Sequence, residues 1–328
     1  MTAMPKLGFI LDGMTYLKYY VPLIEEARAR GFHSTFLISR SYKYNCPYVS
    51  NHQQILKNIC DIYNVNLQVL DEKITKKLDV IFTVEGTKIQ HIEKSKIFSL
   101  CYSTDFTLSY ESYIDNVKYA IMSSKFIANY YGKTKSNNLY LGTPKFDVKL
   151  DDDAIIRNKY NLDNDKYVTI FYPRLRDISS APLRKITEDL NKLGYKPILK
   201  TRLKDPIAEA DCRLSKFNFA DVSWHPHTSL ELIKISDFVI NFSSSVIEET
   251  TALQIPLINF HIKPFKKPFE FLYESSFVQN ISTNYSLPEF KNAVDRLTTL
   301  DFSSDFLEAN KKMFDTKVSS KDIIDKIT

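Results

Sequence analysis

The amino-acid sequence predicts an α/β protein made of two doubly wound, parallel-sheet domains in series. Three observations carry this reading. Strand, helix and strand alternate from Lys6 onward, a polar hinge interrupts the rhythm near residue 148, and the rhythm restarts at Tyr167. A chain of 328 residues also suits two cores of about 150 residues each better than a single one. The expected domains are residues 1–147 and 148–328.

The first domain opens with a short apolar strand, Lys6 to Leu11, broken by Asp12-Gly13. A helix is expected from about Thr15 to Arg30, with Leu17, Val21, Leu23, Ile24 and Ala27 along one side. Gly31 stands where a helix C-cap belongs. A second strand begins at Phe36 and runs to Ile38. Strand, helix and strand within about 30 residues make a βαβ unit, whose crossover returns the chain to the same end of the sheet and makes the pairing parallel. Leu78 to Thr83, Ile97 to Cys101, Tyr119 to Met122 and Leu139 to Leu141 continue the strands, with a helix from Ser123 to Tyr131 stopped at Gly132. Gly142-Thr143-Pro144 then punctuates the chain, and the polar stretches Asp151 to Asp153 and Asn161 to Asp165 mark the hinge.

The second domain repeats the pattern. Strands are expected at Tyr167 to Tyr172, Pro197 to Lys200, Asp237 to Asn241 and Pro256 to Phe260. Helices are expected at Pro182 to Leu193, Leu230 to Ile235 and Ser245 to Leu253, and the chain from Leu287 onward reads as helical. Doubly wound domains bind ligands outside the carboxyl ends of their strands, so the binding groups are sought there, in a central cleft faced by both domains.

Composition narrows the function classes. Apolar residues make up 44% and charged residues 25%, as in an ordinary globular protein. No apolar run reaches the ~18 residues of a spanning helix, and Leu7 to Leu11 is too short for the core of a secretory leader. Cys46, Cys60, Cys101 and Cys212 lack metal-ligand spacing, and Cys60 and Cys101 read as buried thiols of a reducing compartment. A cytoplasmic protein is expected, at most peripheral at the inner face of a membrane. The net charge of +5 is spread along the chain without an arm or stripe, which argues against nucleic acid as a partner. With only 7 glycines, the chain must build any phosphate site from Ser and Thr at a helix start rather than from a glycine-rich loop.

The segment from Ser236 to Phe260 fits that requirement. It reads as a buried strand, a serine turn, an amphipathic helix and another buried strand. Ser243, Ser244 and Ser245 lie where the helix begins, so unpaired backbone N–H groups, the positive end of the helix dipole and hydroxyl donors are expected to converge on a phosphate or diphosphate. Glu248 and Glu249 follow one turn later, at a depth that suits the two hydroxyls of a ribose. The bland alternative is an ordinary serine N-cap with first-turn glutamates that complement the dipole.

This segment resembles the donor-binding motif in the C-terminal domain of GT-B enzymes, closest to the branch of CDP-glycerol glycerophosphotransferases and UDP-GlcNAc 2-epimerases. In that branch a strand ending in an acidic residue runs into Ser-Ser or Ser-Gly-Gly and then Glu-Glu. Three further pieces match in order: Gly142-Thr-Pro-Lys-Phe-Asp147, Thr169-Ile-Phe-Tyr-Pro-Arg-Leu-Arg-Asp177 and Pro197-Ile-Leu-Lys-Thr-Arg-Leu-Lys-Asp205. The resemblance is best from about residue 139 to 262. It departs from the branch at Thr201-Arg202, where His-Pro is usual, at Asn241 in place of the acid, and in serines for both glycines. These departures weigh against an epimerase.

The resemblance implies a glycosyltransferase that moves a sugar from a nucleotide-sugar donor to a glycan or lipid-linked glycan acceptor. The alternatives are a CDP-glycerol-type polyol-phosphate transferase and an inactive GT-B module that binds nucleotide or glycan. Departure of a nucleoside diphosphate needs positive charge, for which Arg174, Lys200 and Arg202 are the candidates, Arg174 and Lys200 first. Trp224, between the second strand and the following helix, is the candidate to stack on the base. No Asp-x-Asp occurs in a suitable loop, so neither a metal nor another cofactor is expected. A general base is sought just beyond first-domain strands, in the order Asp105, Asp12 and Glu85.

Overall fold

The computed structural model describes residues 4–38, 52–87, 89, 92–102, 111–201, 207–220, 225–262, 270–315 and 318–327. The chain forms two compact units, one of Met1–Val148 with Lys311–Thr328 and one of Lys149–Asn310.

The first unit holds strands β1 (Lys6–Ile10), β2 (His33–Ile38), β3 (Asn66–Val69), β4 (Val80–Val84), β5 (Ile97–Leu100), β6 (Tyr119–Met122) and β7 (Asn138–Tyr140). They pair in parallel in the order β3-β2-β1-β4-β5-β6-β7. Helices α1 (Leu17–Ala29), α2 (His52–Tyr63), α3 (Glu72–Lys76), α4 (Glu111–Ile114) and α5 (Lys125–Tyr130) connect them. Strand β4 is buried at all of its positions, as an interior strand of a doubly covered parallel sheet must be. Strand β3 is exposed throughout. Helix α1 stops at Gly31, whose φ of +78° lets its N–H reach Arg28 O at 2.9 Å while the Phe32 N–H reaches Ala27 O at 2.9 Å.

The second unit holds α6 (Asp153–Lys159), β8 (Tyr167–Phe171), α7 (Leu183–Lys192), β9 (Lys196–Lys200), β10 (Phe217–Phe219), α8 (Thr228–Lys234) and β11 (Phe238–Asn241). The chain continues with α9 (Val246–Leu253), β12 (Leu257–Phe260), α10 (Glu270–Tyr273), β13 (Val278–Ile281), α11 (Leu287–Thr299) and α12 (Ser303–Met313). Its parallel sheet has the order β10-β9-β8-β11-β12-β13. In each sheet the winding direction reverses once, between β1 and β4 and between β8 and β11. Those reversals leave the crevice at the carboxyl ends open, because the connections on either side lead away from it.

The end of the chain departs from the expected domain limits. The sequence reading placed everything after residue 147 in the second domain, but residues 311–328 belong to the first unit. The last helix, α13 (Ser319–Ile327), packs on α1 with Ile323 and Ile324 fully buried. Its amino end is held by Asp147, whose carboxylate accepts from the N–H groups of Ser319, at 3.1 Å, and Ser320. Arg30 also pairs with Asp325. Amphipathic periodicity shows that such a helix has an apolar face; it carries no information about which surface that face meets. No helix among the described residues is long and apolar enough to cross a membrane.

Candidate functional site

At the reversal in the second sheet, β8 and β11 lie side by side, with Ile170 opposite Ile240. The residues just beyond both strands therefore emerge at the same end of the sheet. Beyond β8 the chain runs through Tyr172 and Pro173 to Arg174, which is exposed. On the other side of β8, Lys200 ends β9 opposite Phe171. Lys200 is only 3% exposed, and its ammonium donates to Thr201 O at 2.7 Å. Beyond β11 come Phe242, Ser243, Ser244 and Ser245, which lead into α9.

The serine turn is tightly specified. Ser243 has a φ of +52°, a left-handed conformation that costs a non-glycine residue about 1–2 kcal/mol. Asn241 and Asn259, both fully buried, hold the turn from below. Asn241 Oδ1 accepts from Phe242 N–H (2.9 Å), Ser244 N–H (3.3 Å) and Ser244 Oγ (2.8 Å). Its Nδ2 donates to Ser244 O at 3.1 Å and to Tyr273 Oη at 2.9 Å, and Tyr273 Oη donates to Ser244 O at 2.9 Å. Asn259 Oδ1 accepts from Ser243 N–H at 2.8 Å, and its Nδ2 donates to Asn280 Oδ1 at 3.1 Å.

This corrects one expectation. The backbone N–H groups of Ser243 and Ser244 are not open donors, because the two carboxamides take them up. The Val246 N–H also points to Ser244 Oγ, at 3.4 Å. The donors left for a ligand are the Ser245 N–H, which has no partner among the described residues, and side-chain hydroxyls. Ser243 Oγ is buried and has no hydrogen-bond partner among the described residues, while Ser245 is exposed and makes no capping bond to α9. The ordinary N-cap reading of Ser245 therefore lacks its hydrogen bond. Glu248 and Glu249, 4% and 7% exposed, lie in the first turn of α9, at the positive end of its dipole.

The first unit has a second group of polar residues at its own reversal. Asp12 follows β1 and is exposed; Glu85 follows β4 and is 4% exposed. Tyr113 Oη donates to Thr83 Oγ1 at 2.9 Å, and Thr87 Oγ1 donates to Val84 O at 2.6 Å. Burial pushes the Tyr113 phenol up to about 12, with the Glu85 and Asp12 charges adding to the effect. Tyr16, hydrogen-bonded to Thr87, is also pushed up to about 12 by burial, and Asp12 raises it further. Both phenols stay protonated at neutral pH and act as hydrogen-bond donors. The carboxylates are the groups there able to take a proton.

No protein-family model and no curated protein matches the chain. Solved structures do. A UDP-GlcNAc 2-epimerase from Methanocaldococcus jannaschii superposes with a TM-score of 0.68 at 13% identity, over 98% of this chain and 99% of that one. The wall teichoic acid polymerase TagF gives 0.63 at 15% identity, over 98% and 88%. The calicheamicin glycosyltransferase CalG4 gives 0.57 at 8% identity, over 100% and 98%. The fold is GT-B.

Within this GT-B chain, the second unit brings Arg174, Ser243, Ser244, Ser245, Glu248, Glu249 and the buried Lys200 to one end of one sheet. The first unit does the same for Asp12 and Glu85. Asp105, Arg202 and Trp224 lie outside the described residues. Sequence reasoning treated Asn241 only as a departure from the family pattern and passed over Asn259 and Tyr273. The available signal was an asparagine closing the apolar run Phe238-Val-Ile-Asn241 and another near the end of Leu257-Ile-Asn-Phe260.

Proposed function

We propose that this chain is a metal-independent glycosyltransferase that moves a sugar from a nucleotide-sugar donor to a glycan-type acceptor. The observation that carries the reading is the pairing, at the reversal of the second sheet, of an exposed Arg174 with a serine turn at the start of α9. In this reading the donor's diphosphate lies on that turn, Ser243 and Ser245 donate to its oxygens, and Glu249 accepts from the ribose hydroxyls.

In the reaction the bond between the anomeric carbon and the diphosphate oxygen breaks. An acceptor oxygen forms the new glycosidic bond, and its proton passes to a general base, for which Asp12, Glu85 and Asp105 are the candidates. Charge grows on the departing diphosphate, where the Arg174 guanidinium stabilises it most strongly in the transition state.

The test is calorimetric titration of UDP, CDP and GDP into the wild-type chain and Glu249→Ala, followed by incubation with nucleotide-sugars and with CDP-glycerol. One of the diphosphates binds, Glu249→Ala binds it less tightly, and the matching nucleotide-sugar slowly loses its sugar to water. Absence of binding by all three diphosphates overturns the reading. Release of CMP from CDP-glycerol replaces it with polyol-phosphate transfer.

A further inference from the structure

We propose that Asn241 and Asn259 are positioning residues of the donor site, which occupy the N–H groups of Phe242, Ser243 and Ser244 and so hand recognition of the diphosphate to the serine hydroxyls, Ser243 above all, beside the Ser245 N–H. The inference rests on the donor reading above and names how that site recognises its ligand.

Register is the first support. Asn241 of β11 lies opposite Asn259 of β12, which lies opposite Asn280 of β13. Registered residues of parallel strands point to the same face, so the three carboxamides form a row across the sheet, and Asn259 and Asn280 are hydrogen-bonded. The row ends at the turn. Tyr273 ties into it twice, through its phenol to Asn241 and Ser244 and through its carbonyl, which accepts from Asn280 Nδ2 at 2.7 Å.

The chemistry of the row is the second support. A carboxamide accepts from N–H with one atom and donates to a carbonyl with the other, and Asn241 does both toward Ser244. A carboxylate at position 241 accepts equally well but leaves Ser244 O with one donor fewer. It also adds a buried negative charge beneath the place assigned to a diphosphate. Asparagine fills the turn while leaving it neutral.

Ser243 is the third support. Two features of this residue are unfavourable to the fold: its left-handed backbone and a buried hydroxyl without a partner among the described residues. Glycine removes both. Its N–H is already committed to Asn259, so the residue has only its hydroxyl to offer a ligand. A strained residue with one unused donor, locked in place by a neutral scaffold, fits an anion that supplies the missing acceptor.

The experiment separates stability from recognition. Ser243→Gly is expected to raise the melting temperature by about 2–4 °C and to lower affinity for the bound diphosphate about tenfold to a hundredfold. Ser243→Ala shows the same loss of affinity without the rise expected from a relaxed backbone. Asn259→Asp keeps an acceptor for the Ser243 N–H but adds charge. Its affinity for the diphosphate falls at least about tenfold while its affinity for the corresponding nucleoside is unchanged. Ser243→Gly binding the diphosphate as tightly as wild type overturns the proposal but leaves the donor site standing. Asn259→Asp weakening nucleoside and diphosphate alike also overturns it, because that pattern marks a structural defect. If the wild-type chain binds none of UDP, CDP and GDP, the donor reading itself has failed.

Discussion

Replacing Arg174 with alanine tests the electrostatic half of the donor site with little risk to the fold. The side chain is exposed beyond β8, and substitutions at such positions change stability by no more than about 0.5 kcal/mol. If its guanidinium holds the diphosphate, the variant loses a hydrogen bond between charged partners, worth about 1.5–3 kcal/mol. At about 1.4 kcal/mol per tenfold, affinity for the nucleoside diphosphate falls roughly 10- to 150-fold. Salt supplies a second signature. The Debye length is about 8 Å at physiological ionic strength and about 3 Å at 1 M, so an exposed contact weakens as salt rises. Wild-type affinity should therefore decline with added NaCl more steeply than that of Arg174→Ala, and the gap between them should narrow. Arg174→Lys keeps the charge but not the planar fork and should fall between the two. Calorimetric titration at low and high salt, with a thermal melt of each protein as the control, reads all of this. An Arg174→Ala protein with wild-type affinity and wild-type salt dependence refutes the reasoning.

Three further outcomes are expected. Among Asp12→Asn, Glu85→Gln and Asp105→Asn, one lowers turnover by about 100-fold or more while diphosphate affinity is retained; full activity in all three removes the first-unit carboxylates from the mechanism. Dialysis against EDTA leaves diphosphate affinity and turnover unchanged, because Arg174 supplies the charge; activity lost to EDTA and restored by Mg²⁺ contradicts this. Burial holds the Asp147 carboxyl above its ordinary 3.8 although Ser319 and Ser320 donate to it. The folded state thus binds this proton more tightly than the unfolded chain, so the associated stability is complete below pH 3.8 and is lost as pH rises through the folded value. Denaturant melts across that window should show a downward slope in wild type that is reduced in Asp147→Asn, and an unchanged slope assigns it to other groups.

Much of the fold was legible because parallel strands covered on both faces must be apolar along their length. Phe238-Val-Ile-Asn241 and Leu257-Ile-Asn-Phe260 read as strands for that reason, and Gly31 and Gly194 marked helix ends because both adopt the left-handed backbone there, with φ of +78° and +83°. Elements at the margins were not legible. Strand β3, Asn66–Val69, lies at an edge and is exposed throughout, so no apolar run announces it. Strand β10 is three residues long, and β13 mixes Val278 and Ile281 with Gln279 and Asn280.

Sequence alone determined the alternation of elements, the serine turn opening α9 and the placement of Arg174 after β8, because each follows from residues close together in the chain. Tertiary structure decided the rest. Only the fold shows that β8 and β11 are neighbours, that α13 belongs to the first unit and packs on α1, and that Asn259, 18 residues beyond Asn241, reaches back to the Ser243 N–H at 2.8 Å. Whether the N–H groups of a helix start are open or occupied depends on what the neighbouring strand brings alongside. Here two asparagines occupy those of Phe242, Ser243 and Ser244, just ahead of α9, and leave the Ser245 N–H and the hydroxyls to a ligand.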